Sequence, residues 1–202
     1  VHFWPQLTPV PTVSFATRYL RASAGVMITA SHNPAKYNGY KVYGADGCQV
    51  TVEAAAEILS EIEKLDLFDG VKRADFDACL HDGRIRLISD EVLAAFLEAV
   101  KAQSALFGEQ ACKDIAIVYS PLNGAGYVPV TRALKELGYA RVTVVEEQRL
   151  PDGRFPTCPY PNPEIREAMA LGITYAGRLG ADLLMATDPD CDRVGVAVRD
   201  HS

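Results

Sequence analysis

Apolar positions along this chain come in short runs, each stopped by turn-forming words. Residues 12–22 follow helical spacing, and Gly25-Val26-Met27-Ile28-Thr29-Ala30 is a partly β-branched apolar run that halts at Ser31-His32-Asn33-Pro34, which predicts helix, strand and loop. Asn38-Gly39 precedes Tyr40-Lys41-Val42-Tyr43, and Asp46-Gly47 precedes Cys48-Gln49-Val50, so two short strands joined by a tight turn are expected. Thr51 caps a helix with Val52, Ala55, Leu59 and Ile62 at helical spacing. The polar stretch 66–88 predicts only one strand, at 85–88. Ser89 opens a second helix, with Leu93, Phe96, Leu97 and Val100 on one face and its end near 104–108.

The pattern then changes. Residues 115–119 read as a buried strand, 120–126 as a loop, 128–137 as a helix closed by Gly138, and 141–145 as another strand, which together make a βαβ unit. A Pro-rich excursion over 150–163 leads into a helix over 164–179, with Ile165, Met169, Ile173 and Ala176 on one side and Gly180 as its stop. Strands follow at 182–187 and 193–198. Strands alternating with helices predict three-layer α/β sheets. The change of pattern near 105–113 divides the chain into 1–108 and 109–202, and no internal repeat is visible.

Composition narrows this further. At ~150 residues per domain, 202 residues make about 1.3 domains, and 49% hydrophobic with 23% charged residues is ordinary globular composition. The net charge of −6 leaves no basic surplus for counterion release from a nucleic acid. The longest apolar runs fall far short of the ~20 residues a membrane-spanning helix needs, so neither nucleic acid nor membrane is an expected partner. Five cysteines, widely spaced and without a Cys-x-x-Cys pair, suit a reducing cytoplasm better than a disulfide framework or a zinc site.

In open α/β sheets ligands gather at the carboxyl ends of strands, and three polar loops stand there: 31–34, 120–124 and 187–193. The last sets Asp188, Asp190 and Asp192 within five residues, directly after an apolar strand. Their repulsion is relieved by a divalent cation, and an all-oxygen site with few protein ligands suits Mg²⁺. An EF-hand does not account for the loop, since its sixth position would be Arg193 and its twelfth Arg199. A solvated acidic turn is the plainer alternative. Taken singly, Ser31 reads as a turn serine and His32 as an exposed or hydrogen-bonded histidine.

Taken together, these strings have a family likeness. Gly25-Val26-Met27-Ile28-Thr29-Ala30-Ser31-His32-Asn33-Pro34, with Asn38-Gly39-Tyr40-Lys41, resembles the active-serine loop of the α-D-phosphohexomutases (phosphoglucomutase and phosphomannomutase). Thr187-Asp188-Pro189-Asp190-Cys191-Asp192-Arg193 resembles that family's metal loop. Weaker matches are Ser120-Pro121-Leu122-Asn123-Gly124-Ala125-Gly126, with Asn123 where His is expected, and Pro161-Asn162-Pro163-Glu164. The resemblance covers most of residues 5–198.

It implies a fold of two αβα three-layer domains of phosphohexomutase type, both expected to be incomplete: an active-serine domain (1–108) and a metal-binding domain (109–202). It implies that Ser31 carries a phosphoryl group, adding roughly −1.5 to −2 charge, and that Mg²⁺ is held by Ser31, Asp188, Asp190 and Asp192. Arg193 and Lys41 would then meet the phosphate oxygens and the attacking hydroxyl, with Lys41 or His32 moving the proton. The implied reaction shifts phosphate between C1 and C6 of a hexose through a hexose 1,6-bisphosphate. A small sugar phosphate is therefore the implied partner, glucose first and mannose next. Pro189 and Cys191 resemble the branch of phosphoglucomutases related to phosphopentomutases.

The family's sugar-reading Glu-x-Ser-Gly and phosphate-binding Arg-x-Ser-Gly-Thr strings do not occur in this sequence. The chain is accordingly expected to be a piece, lacking the opening strand of the first domain and the end of the second, and inactive alone. Two competing readings remain. A phosphatase of the haloacid dehalogenase type also places Asp-x-Asp after a strand and would be phosphorylated on Asp188; the other reading is a metal- or phosphate-binding module without turnover.

Overall fold

The computed structural model describes residues 1–66, 68–105 and 112–200. The first half runs β1 (His2–Phe3), α1 (Val10–Tyr19), β2 (Ala24–Ile28), β3 (Tyr40–Gly44), α2 (Val52–Ile62), α3 (Phe76–His81), β4 (Arg86–Leu87) and α4 (Asp90–Lys101). The second runs β5 (Ile117–Ser120), α5 (Tyr127–Glu136), β6 (Val142–Val144), a 3₁₀ turn (Glu146–Gln148), α6 (Arg166–Leu179), β7 (Leu183–Thr187) and β8 (Val194–Val198).

The second half forms one four-stranded sheet in the order β6-β5-β7-β8, with β5 parallel to both neighbours and β8 antiparallel to β7. The chain leaves β5 toward β6 through α5, then crosses back through α6 to β7 on the far side of β5. Because such crossovers are right-handed, the two helices lie on opposite faces and give the three layers. Alternation within β5 and β7 sends Val118, Leu184 and Ala186 into a core with Ala168 and Met169 of α6. Leu184 comes so close to α6 that a Cβ on Gly172 would lie 2.7 Å from its Cδ1. Gly180 ends α6 in the left-handed conformation, at φ 63°.

In the first half β2 and β3 are antiparallel, with Met27 opposite Lys41 and Ile28 opposite Tyr40. That register carries Lys41 to the end of β2 from which the 29–34 loop departs. Helix α1, with Pro11 tolerated in its first turn, packs Val10 and Val13 against Tyr43 and Met27. On its other side Ala16 meets Ile88 and Val92, with Trp4, Phe15 and Leu20 around them. The amide of Val10 donates to the carbonyl of Asp190 at 2.8 Å, so α1 starts against a loop of the second half.

Several expectations shift. The helix predicted over 12–22 begins two residues earlier, and the strand predicted at 48–50 reduces to a single bridge between Tyr43 and Gln49. Two elements in the first half were not predicted. The two-residue β1 pairs in parallel with β4, and α3 is capped by Asp75, whose carboxylate accepts from the Ala78 amide at 2.7 Å. Helix α2 forms where expected, capped by Thr51, yet buries none of its residues. Helix α4 ends at Lys101, short of 104–108, and the boundary expected at 108/109 lies outside the described residues.

Truncating Leu184 to Ala removes the side chain that joins β7 to α6, with Gly172, which has no side chain to fill the gap, facing it. The expected cost is about 2–5 kcal/mol in urea unfolding; a loss below about 1 kcal/mol would contradict this packing.

Candidate active site

The order β6-β5-β7 places a topological switch between β5 and β7, the place where open α/β sheets leave a crevice beyond their strand ends. Both loops that leave this point are interlocked. The amide of Ala125 donates to the Pro189 carbonyl at 2.8 Å, and a Cβ on Gly124 would lie 2.2 Å from Pro189 Cα, so only glycine permits the contact. Leu122 and Asn123 both take positive φ, 47° and 56°, to turn the chain sharply there. Asn123 Nδ2 donates to the carbonyls of Glu147 and Leu150, while its buried Oδ1 has no partner among the described residues. The residue standing where the family likeness calls for His therefore ties its loop to the neighbouring turn.

Beyond β7 the chain coils around one carboxylate. Asp188 is fully buried, and its Oδ1 accepts from the amides of Asp192 at 3.1 Å and Arg193 at 3.0 Å. This curl sets Asp188, Asp190 and Asp192 with carboxylate oxygens all within 4.8 Å of one another. Asp190 is 4% exposed, and Asp192 faces water.

The 29–34 loop of the first half closes onto these carboxylates. Ser31 Oγ lies 3.2 Å from both Asp188 Oδ2 and Asp190 Oδ1, across 157 and 159 positions of sequence, and 3.2 Å from His32 Nδ1. Ser31 has φ 53°, a left-handed conformation costing a non-glycine residue roughly 1–2 kcal/mol. Lys41 Nζ reaches Asp190 Oδ2 at 3.1 Å and Asp192 Oδ2 at 2.8 Å. Ser31, His32, Lys41 and the three aspartates thus meet in one place. Arg193 does not join them: its Nη1 pairs with Glu164 Oε1 at 2.6 Å. Thr29 is a participant that motif reading passed over. Its only signal was a hydroxyl at the end of an otherwise apolar run, and its Oγ1 donates to Asp190 Oδ2 at 3.1 Å.

The electrostatics follow from burial. Withdrawal from water, together with the neighbouring Asp190, pushes Asp188 up to about 7. Burial also pushes Asp190 up, but the hydrogen bonds from Asp188 and from Lys41 outweigh it and hold Asp190 below the usual carboxylate range. The pair therefore holds one proton between them near neutral pH. Partial burial opposes the charge on Lys41, while its bonds to Asp192 and Asp190 raise it overall, so it stays an ammonium. Burial holds the Cys191 thiol up at about 12, so it is not a thiolate nucleophile at neutral pH.

Asp188, Asp190 and Asp192 fit a hard divalent cation. Their oxygens converge, they carry more negative charge than one lysine offsets, and among the described residues no cysteine or histidine joins their cluster. Beside Asp190 and Thr29 a cavity of about 480 Å³ opens, with Phe3, Trp4, Val26 and Phe155 in its walls.

Comparison with known proteins agrees with the geometry. The models described as phosphoglucomutase/phosphomannomutase alpha/beta/alpha domains I and II match residues 1–68 and 94–201. A phosphoglucomutase of Staphylococcus saprophyticus is 38% identical over 189 residues, covering 94% of this chain and 34% of that protein. A phosphoribomutase of Saccharomyces cerevisiae is 37% identical over 201 residues, covering 94% of this chain and 32% of that protein. The crystal structure of a Thermus thermophilus protein assigned as a phosphomannomutase superposes with a TM-score of 0.78 at 27% identity, covering 98% of this chain and 41% of that one. The chain thus spans about a third of the length of these curated relatives.

A carboxyl whose folded-state pKa is raised loses stability as pH climbs from its unfolded value, near 4, through about 7. Asp188→Asn, which mimics the protonated form, should therefore stabilise the cation-free chain at pH 8 by on the order of 1–3 kcal/mol. At pH 4 the gain should shrink toward zero. Equal effects at both pH values, in chemical denaturation with chelator present, would contradict the shared-proton assignment.

Proposed function

This chain belongs to the phosphoglucomutase/phosphomannomutase family, and from that premise we propose that it is the serine- and cation-bearing part of a phosphosugar mutase. The observation carrying the reading is the meeting of Ser31 Oγ with Asp188 and Asp190 at 3.2 Å. A turn serine has no need of two buried carboxylates from a loop 157 positions away.

Phosphoryl transfer asks a protein for positioning and charge stabilisation more than for covalent chemistry. Ser31 Oγ accepts a phosphoryl group from a hexose 1,6-bisphosphate: the P–O bond to the sugar breaks, a P–O bond to Oγ forms, and the departing sugar oxygen takes up a proton. Asp188, Asp190 and Asp192, with Ser31 beside them, would hold a Mg²⁺ ion, which would supply charge neutralisation there when bound. The Ser31 proton passes to a base within reach. His32 Nδ1 at 3.2 Å fits that role, whereas Lys41, held as an ammonium by Asp192 and Asp190, is suited to steady the phosphate oxygens. Arg193, exposed beside Glu164, can swing to the same oxygens. The phosphoserine passes its group to the free hydroxyl of a sugar monophosphate, the bond from phosphorus to Ser31 Oγ breaking as the bond to the sugar oxygen forms. The resulting bisphosphate reorients and returns its other phosphate to Ser31, which moves phosphate between C1 and C6.

Glucose is the proposed hexose, with mannose next; relatives of similar identity carry the names phosphoglucomutase and phosphoribomutase. A cytoplasmic setting is supported by five cysteines that are all free. No described helix is long and apolar enough to cross a membrane. The residues reading the sugar lie outside these 202, which contain neither a Glu-x-Ser-Gly nor an Arg-x-Ser-Gly-Thr string.

Incubated with Mg²⁺ and glucose 1,6-bisphosphate, the chain should gain the mass of one phosphoryl group by intact-mass analysis, and Ser31→Ala should gain none. A group retained in Ser31→Ala and lost in Asp188→Asn would overturn the reading in favour of an aspartyl phosphatase. In a coupled assay the chain alone should not convert glucose 1-phosphate to glucose 6-phosphate, and measurable turnover would contradict the division of labour proposed here.

A further inference from the structure

We infer that Thr29 is a positioning residue, whose single hydroxyl holds the Ser31 backbone and the Asp190 carboxylate in register with each other. The polarity of its two bonds is fixed by chemistry. The Ser31 amide can only donate, so Thr29 Oγ1 directs its own proton to Asp190 Oδ2, at 3.1 Å. Its lone pair is then left for the Ser31 amide, which donates to it at 2.8 Å. The second bond is a local side-chain to backbone turn of the kind hydroxyl residues form two positions on. Here it secures a serine at φ 53°, a conformation that nothing in the residue's own chemistry favours.

One oxygen thereby joins the strained nucleophile loop of the first half to a buried carboxylate of the second, across 161 positions of sequence. Asp190 is held from both sides, its Oδ2 by Thr29 and Lys41 and its Oδ1 by Ser31 itself. Lys41 also serves Asp192, so it fixes the rim of the carboxylate cluster rather than the link to Ser31. Among the described residues only the Thr29 hydroxyl touches both the backbone that aims Ser31 and the carboxylate that Ser31 faces. Valine has the same shape without the hydroxyl, and serine has the hydroxyl without the methyl.

The kinetic arm of the test rests on the transfer reading above; the other two arms do not. Three readouts are taken on the wild-type chain, Thr29→Val and Thr29→Ser: hydrogen exchange at the Ser31 amide by NMR, Mn²⁺ affinity by calorimetry, and phosphorylation of Ser31 by glucose 1,6-bisphosphate. In Thr29→Val, exchange should quicken at least tenfold and Mn²⁺ should bind about 10–100-fold more weakly, the usual effect of losing a group that orients a ligand. Phosphorylation should slow by a similar factor. Thr29→Ser should return all three to near the wild-type values. Wild-type exchange and Mn²⁺ affinity in Thr29→Val would overturn the inference, as would a Thr29→Ser variant that fails as badly as Thr29→Val. A wild-type chain that takes no phosphoryl group would sink the transfer reading and leave the exchange and Mn²⁺ arms to judge Thr29.

Discussion

Two carboxylates, Asp188 and Asp190, are withdrawn from water side by side at the end of β7. Burying ionised carboxylates is costly unless partners replace the lost hydration, and the surrounding structure is largely an inventory of such partners. The amides of Asp192 and Arg193 serve Asp188; Lys41, Thr29 and Ser31 serve Asp190. These donors still leave the pair with one proton to share. A cluster kept so short of positive charge is a poor way to stabilise a fold and a good way to await a cation.

The donors come from both halves of the chain, which is why the architecture matters. Strand order β6-β5-β7 opens a crevice at the ends of β5 and β7. The glycine contact of Gly124 with Pro189 fixes the shape of the loops that leave it. Antiparallel pairing of β2 with β3 then delivers Lys41 next to the Thr29–Ser31 turn, and the Val10 amide clamps the start of α1 onto the Asp190 carbonyl. Positioning of this kind, by rigid elements, is what a transfer reaction with little covalent work for the protein requires.

Much of this was legible in the chain itself. The apolar runs ending at Ser31 and at Asp188 predict strands that deliver polar loops, and both strands and both loops are present. Short or solvent-facing elements were harder. The two residues of β1 carry no periodicity, and α3 is a six-residue helix inside a polar stretch. The stripe of Val52, Ala55, Leu59 and Ile62 does set helix α2, yet spacing cannot say that it stays unburied among the described residues. Thr29 was hidden for a related reason: a threonine ending a β-branched run looks like strand propensity, and its role exists only once Asp190 arrives from 161 positions away. The direction of Arg193 toward Glu164 likewise depends on a tertiary contact.

The central claim is that the carboxylate cluster and the serine form one cation-centred site. It is tested most directly by soaking or co-crystallising the chain with Mn²⁺ and collecting anomalous diffraction. The account predicts a single strong peak among the Asp188, Asp190 and Asp192 carboxylates, with Ser31 Oγ at coordination distance, roughly 2–2.3 Å. A peak at some other acidic cluster, or one at these aspartates with Ser31 turned away from it, would contradict the account.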